Sequence, residues 1–313
     1  MEIDSRLHLA AGKQSFGRKW GRSKYLLLLF LPTLVYYIMF KYIPMFGVLV
    51  SFKDYNLFKG VWESDWVGLK YYRMFFESPD FFKLLRNTFV LGIYRLVFGF
   101  PAPIILALLL NEVRHMVVKR FVQSVSYLPH FISNVVVVSM MVLFLSPSSG
   151  IVNRVMEWTG MEPVNFMARE DLFRGIYVLS DIWQHVGWET IIYLAALTAI
   201  DPQLYEAAKI DGADRWKQLI HVTLPGMLPA IIILLILNVG SVLEIGFEKV
   251  FLMLNPAIYG TADILSTYVY RTGLGRGNYS YATAIDLFTS VVNLIFIMAA
   301  NWISRKTSET SLW

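Results

Sequence analysis

LYEAAKIDGADRWKQLIHVTLP, running from Leu204 to Pro225, is a charged interval between two long apolar runs. Asp201-Pro202 ahead of it supplies a helix start, with Asp as cap and Pro at a permitted first-turn position. A short helix through Glu206, Ala207, Ala208 and Lys209 is predicted. Asp211, Gly212 and Ala213 then form a break, because glycine enters left-handed backbone geometry without a steric cost. Beyond it, Trp216, Leu219 and Ile220 recur at the three- and four-residue spacing that places them on one face of a second short helix. Leu224-Pro225 leads into the next apolar run. The expected object is two short helices at an angle, apolar on one face. Taken alone, it reads equally as an amphipathic connection lying on a membrane surface or as an element built to dock a partner.

The flanking runs decide the class. The 313 residues are 56% hydrophobic and 16% charged, and a mean hydropathy of +0.51 exceeds what a water-soluble domain of this size carries. An all-α membrane protein with six transmembrane helices is expected, at about 25–50, 88–110, 121–145, 176–200, 227–245 and 281–303. Each is near the ~20 residues needed to cross the hydrocarbon core, and helices satisfy their own backbone there. Residues 25–304 form the membrane domain, with the Leu204–Pro225 interval inside a 201–225 loop between the fourth and fifth spans. A polar 1–24 segment precedes the domain and a 305–313 tail follows it. The first run shows no small-residue cleavage site and reads as an uncleaved span rather than a secretory signal.

Orientation follows from Lys and Arg beside the spans. Arg6, Lys13, Arg18, Lys19, Arg22 and Lys24 precede the first span. Arg114, Lys119 and Arg120 lie between the second and third, Lys209, Arg215 and Lys217 between the fourth and fifth, and Arg305 and Lys306 after the sixth. Those segments, both termini included, are assigned to the cytoplasm. The opposite loops carry acids such as Asp54, Glu63, Asp65, Glu77 and Asp80. They also carry Tyr55, Phe58, Trp62, Trp66, Trp158 and Phe166, which suit an interfacial aromatic belt better than sugar-stacking platforms. The net charge of +5 is accounted for by these flanks, so nucleic-acid binding is not expected. With no cysteine, disulfides and thiolate chemistry are excluded.

Glu206-Ala207-Ala208, three residues, Gly212, nine residues, then Val222-Thr223-Leu224-Pro225 resembles the EAA signature of permease subunits of binding-protein-dependent ABC importers. Val222 departs from the usual isoleucine by one methylene. Asn87-Thr88, the stretch Phe100 to Glu112 (FPAPIILALLLNE) and the stretch Gln123 to Ser133 (QSVSYLPHFIS) are similar to the branch that imports oligo- and polysaccharides. The resemblance implies a transporter subunit of the bacterial inner membrane, not an enzyme. It implies a second permease subunit, two ABC ATPase subunits and an extracytoplasmic solute-binding protein as partners. The 201–225 loop would fit a groove on an ATPase, with Glu206 making a charged contact, Gly212 permitting the bend, and Trp216, Leu219 and Ile220 filling the groove. No cofactor is expected in this chain: there is no phosphate-cradling G-x-x-x-x-G-K-[ST] loop, so Mg-ATP would lie on the partner ATPases. Gly273-Leu274-Gly275-Arg276-Gly277 is too short for a dinucleotide fingerprint, and the five histidines are isolated, so no metal site is expected.

Polar groups inside spans are costly and are candidates for the substrate pathway. They are Arg95 in the second span, Trp183, Gln184, Trp188 and Glu189 in the fourth, and Asn238, Ser241 and Glu244 in the fifth. Sugar recognition needs hydrogen-bonding side chains beside aromatic faces, and the fourth and fifth spans hold both. Bland readings stand beside these: interhelical bonds for Asn238 and Ser241, packing for Trp183 and Trp188, snorkelling or pairing with Glu189 for Arg95. An Arg95 facing a water-filled cavity would favour an anionic sugar chain, such as a uronate polymer like alginate. Two rivals remain. Asp181, His185 and Glu189 share a helical face and could serve an integral membrane transferase, and an ion-coupled secondary transporter is the other.

Overall fold

The computed structural model describes residues 16–307. Residues 1–15 of the expected basic segment and 308–313 of the expected tail lie outside them. Among the described residues four helices are long and apolar enough to cross a membrane: Leu27–Phe52, Phe81–Glu112, Arg215–Gly240 and Tyr279–Lys306. Met116–Phe131 and Asn134–Phe144 make a fifth if read as one span, bent by 100°. Glu170–Thr198, at 29 residues, is long enough, but Asp181, Gln184, His185 and Glu189 dilute its apolar character.

The helices overrun the expected boundaries, and proline explains why. Pro44, Pro101 and Pro225 suggest breaks in sequence because a proline lacks an N–H and clashes with the carbonyl four residues back. Here each is preceded by a widened, π-type turn that contains that carbonyl: Ile38–Tyr42, Arg95–Gly99 and Leu219–Thr223. The wider turn absorbs the clash and the helix continues. The second short helix expected after Gly212 is therefore not separate. Arg215–Gln218 is the first turn of the 26-residue helix Arg215–Gly240. The third span departs the other way, broken where Pro129 ends one helix and Ser133 caps the next through a bond from the Val136 amide.

Three buried clusters hold the helices together. One joins Leu91, Val138, Phe173, Tyr177, Ile245 and Val250. A second joins Tyr71, Phe75 and Leu84 to Leu265, Tyr281 and Ile285. The third, Ala107, Tyr193, Leu197, Ile200 and Met227, sits beside the 201–225 loop. Asn87 and Thr88 fasten the segment after the fifth apolar run: Asn87 Nδ2 donates to the Gly260 and Asp263 carbonyls at 2.9 and 3.1 Å, and the Leu265 amide donates to Thr88 Oγ1 at 2.9 Å.

A two-residue antiparallel hairpin pairs Lys53 with Trp66 and Asp54 with Asp65. Tyr71 donates its hydroxyl to Asp54 at 2.7 Å and Lys70 approaches the same carboxylate at 3.2 Å. The Tyr71 bond, then Lys70, hold the Asp54 carboxyl below its ordinary range. Burial, then the Asp54 bond, push the Tyr71 hydroxyl up to about 12. A depressed acid stabilises this corner above its unfolded value of about 3.9 and loses that contribution as pH falls through the folded one. A raised phenol stabilises it below about 10 and loses the contribution as pH rises toward 12. Amide protection factors over residues 53–72, with the intrinsic pH dependence of exchange divided out, should therefore be largest between those limits and fall on both sides. Tyr71→Phe should abolish the alkaline limb, and an unchanged alkaline limb would contradict this pairing.

Candidate functional site: a charged cavity and an exposed loop

The Glu170–Thr198 helix organises the cavity. Positions 181, 185, 188 and 189 fall on one face because a helix repeats every 3.6 residues. Opposite them stand Arg95, on the widened turn before Pro101, and Asn238, near the end of Arg215–Gly240. Together with Phe100 and Tyr193 they line a cavity of about 560 Å³. Trp188 supplies an aromatic wall, its ring stacked on His130 with centroids 4.6 Å apart and planes 1° from parallel. The packing behind it is close: a Cβ on Gly187 would run into the Ser126 backbone.

Arg95 pairs with Asp181, Nε to Oδ2 at 3.4 Å, and not with Glu189 as the sequence suggested. Both carboxylates lie on the same face, and the helix rotation sets Asp181 nearer. Asp181 also has His185 Nδ1 at 3.4 Å and Lys249 Nζ at 3.8 Å. Lys249 is 2% exposed and donates to Gln184 Oε1 at 3.1 Å. Gln184 in turn donates to the Ile132 carbonyl at 2.9 Å, satisfying a backbone group freed by the break between Phe131 and Asn134. Burial of such a charge requires a partner of this kind.

The candidates from sequence therefore divide. Arg95, Trp188, Glu189 and Asn238 line one cavity. Gln184 is buried behind it, and Trp183 is exposed on another face of the same helix. Adjacent helical positions point about 100° apart, so 183, 184 and 188 cannot all share a wall. Asn238 Nδ2 and Ser241 Oγ bond carbonyls of their own helix, and Ser241 borders a small recess beside Arg95. Glu244 accepts from Asn293 at 3.2 Å, tying the chain to the last helix rather than to the cavity. Sequence reasoning missed Lys249, which sits on the short helix Phe247–Met253 in what read as an outer loop. It considered Asp181 and His185 only as enzyme residues.

The loop is built by local rules. Asp201 caps Pro202–Ile210 by accepting from the Gln203 amide at 2.9 Å. Gly212 has φ +75°, and the amides of Gly212 and Ala213 return to the carbonyls of Lys209 and Ala208 at 3.1 and 2.8 Å. That is a Schellman stop, and it needs glycine at this place. Asp214 caps the following helix by accepting from the Lys217 amide at 2.8 Å. The hydroxyls of Tyr205 and Thr223 share a 3.0 Å bond across the bend. Glu206, Ala207, Asp211 and Pro225 are exposed, whereas Ala208, Ala213, Leu219 and Leu224 are half-buried. Trp216 is 68% exposed, with Ile210 and Ile220 also exposed.

A bundle of apolar helices around a partly charged cavity fits a membrane transport component. The chain matches the family described as binding-protein-dependent transport system inner membrane component over residues 99–309, and it belongs to that family, the permease subunits of ABC importers. It is 48% identical over 292 residues to the polygalacturonan/rhamnogalacturonan transport system permease protein YteP of Bacillus subtilis (strain 168), covering 93% of this chain and 91% of that one. It is also 48% identical over 310 residues to Protein LplB of the same organism, covering 97% and 96%. A crystal structure of a bacterial alginate ABC transporter in complex with alginate pentasaccharide-bound periplasmic protein contains a chain that superposes with a TM-score of 0.88. That chain is 40% identical, with 96% of this chain and 100% of that one covered.

Proposed function

We propose that this permease imports an acidic, uronate-containing oligo- or polysaccharide by alternating access. The observation that carries the reading is Arg95, 38% exposed in a cavity that also presents the Trp188 ring and Asn238. An aromatic face suits the apolar side of a sugar ring, and a guanidinium fork suits a carboxylate. Polygalacturonan, rhamnogalacturonan and alginate, the substances named for the similar proteins, all contain uronate, which supports the same class. In this reading six spans with both termini in the cytoplasm pair with a second, homologous permease subunit. A solute-binding protein delivers the sugar from outside. Two ATPase subunits hold Mg-ATP and close on the 201–225 loops, and their closing and opening switch the side of the membrane to which the cavity opens.

The test is ATP-dependent uptake by the complete complex in proteoliposomes, with an acidic and a neutral oligosaccharide of equal length. Arg95→Ala should cut uptake of the acidic sugar by about 10- to 100-fold, the loss of one charge contact, and that of the neutral sugar by less than about threefold. Equal loss for both would sink the charge argument.

A further inference from the structure

Asp181 has Arg95, Lys249 and the His185 ring around it, more partners than one carboxylate needs, and they are not held alike. Lys249 is fixed by Gln184 at 3.1 Å, and Gln184 by the Ile132 carbonyl at 2.9 Å, so its ammonium stays 3.8 Å from Asp181. His185 is on the same helix, one turn away, at 3.4 Å. Arg95 is the loosely held member. It is carried on a widened turn and exposed to the cavity. Its one ionic contact among the described residues is Nε to Asp181 at 3.4 Å, longer than a charge-assisted hydrogen bond.

We propose that Asp181 is the resident counter-ion of Arg95: a substrate carboxylate displaces it on entry, and it retakes the guanidinium as the substrate leaves. The inference rests on the acidic-sugar reading above. In an empty cavity an unpaired guanidinium is costly, and Asp181 removes that cost. When a uronate takes the guanidinium, Asp181 is not orphaned, because Lys249 and His185 remain beside it. The exchange trades one carboxylate for another and is close to balanced, so binding stays reversible. A neutral sugar has no charge to offer and leaves the pair in place. Asp181 therefore sets both how tightly the acid is held and how readily it is released.

The experiment uses the complete complex, with a galacturonate trisaccharide and its methyl ester as probes. It measures direct binding by titration calorimetry and turnover by uptake. Asp181→Asn removes the competitor, so the dissociation constant for the free acid should fall by about five- to tenfold while turnover slows by a similar factor through delayed release. The ester should change by less than about twofold in both. Because Asp181→Asn alone leaves Lys249 buried beside a neutral group, the pair Asp181→Asn with Lys249→Met keeps the charge count unchanged and should show the same tighter binding. A structural role would weaken binding of both sugars or spoil assembly. Unchanged or weaker binding of the acid in the assembled double variant, or acid and ester shifting together, would overturn the counter-ion role. Wild-type protein that binds and imports ester and acid alike would instead overturn the acidic-sugar reading, and the exchange with it.

Discussion

Replacing Glu206 by lysine should leave the protein folded and assembled in the membrane but cut ATP-driven uptake about 30-fold or more. Glu206 is exposed on the Pro202–Ile210 helix, with no hydrogen bond or ion pair to another described residue. Changing such a surface charge alters stability by within about 0.5 kcal/mol. Around it Trp216, Ile210 and Ile220 are uncovered, and Gly212 fixes the angle at which the two helices present them. If a cation on an ATPase meets Glu206, reversing the charge costs about 2–5 kcal/mol at that contact, enough to cut uptake roughly 30-fold or more. Thermal unfolding of the purified permease should not move. Normal uptake and normal stimulation of ATP hydrolysis in the Glu206→Lys complex would remove this loop from the coupling path.

Two glycines of the Glu170–Thr198 helix give the second large effect by contrast. A Cβ at Gly175 meets nothing within 4 Å, whereas one at Gly187 collides with the Ser126 backbone. Alanine is the better helix former by about 1 kcal/mol, so Gly175→Ala should be neutral to slightly stabilising. Gly187→Ala should cost about 3 kcal/mol or more, because backbone cannot move aside as a flexible side chain can. The forced shift also moves Asp181, His185 and Trp188, which the same helix carries, so uptake should fall with stability. Melting temperatures in detergent check the pair. Equal behaviour of the two variants would contradict the close approach of these helices.

Features built by short-range rules were legible in the sequence. The Asp201 cap, the Gly212 stop and the exposed Trp216 follow from residues within a few positions of one another, and so does the common face of 181, 185, 188 and 189. Features that depend on how helices rotate against each other were not. Arg95 and Asp181 are 86 positions apart in sequence (181 − 95), and nothing local distinguishes Asp181 from Glu189 as the partner. Lys249 reads as a loop charge until the fold places it against Gln184. Prolines misled at Pro225, where a widened turn lets the helix run on. The polar residues with which Glu170–Thr198 lines the cavity are also those that keep it from meeting a hydropathy criterion.

Import of an acidic sugar through Arg95 depends most directly on where a substrate carboxylate rests. A structure of the complete complex trapped with a bound uronate oligosaccharide should place one carboxylate within about 3 Å of the Arg95 guanidinium, a sugar ring against Trp188, and Asp181 turned to Lys249 and His185. An oligosaccharide lying in the cavity with Arg95 still on Asp181 and no carboxylate near either would contradict it.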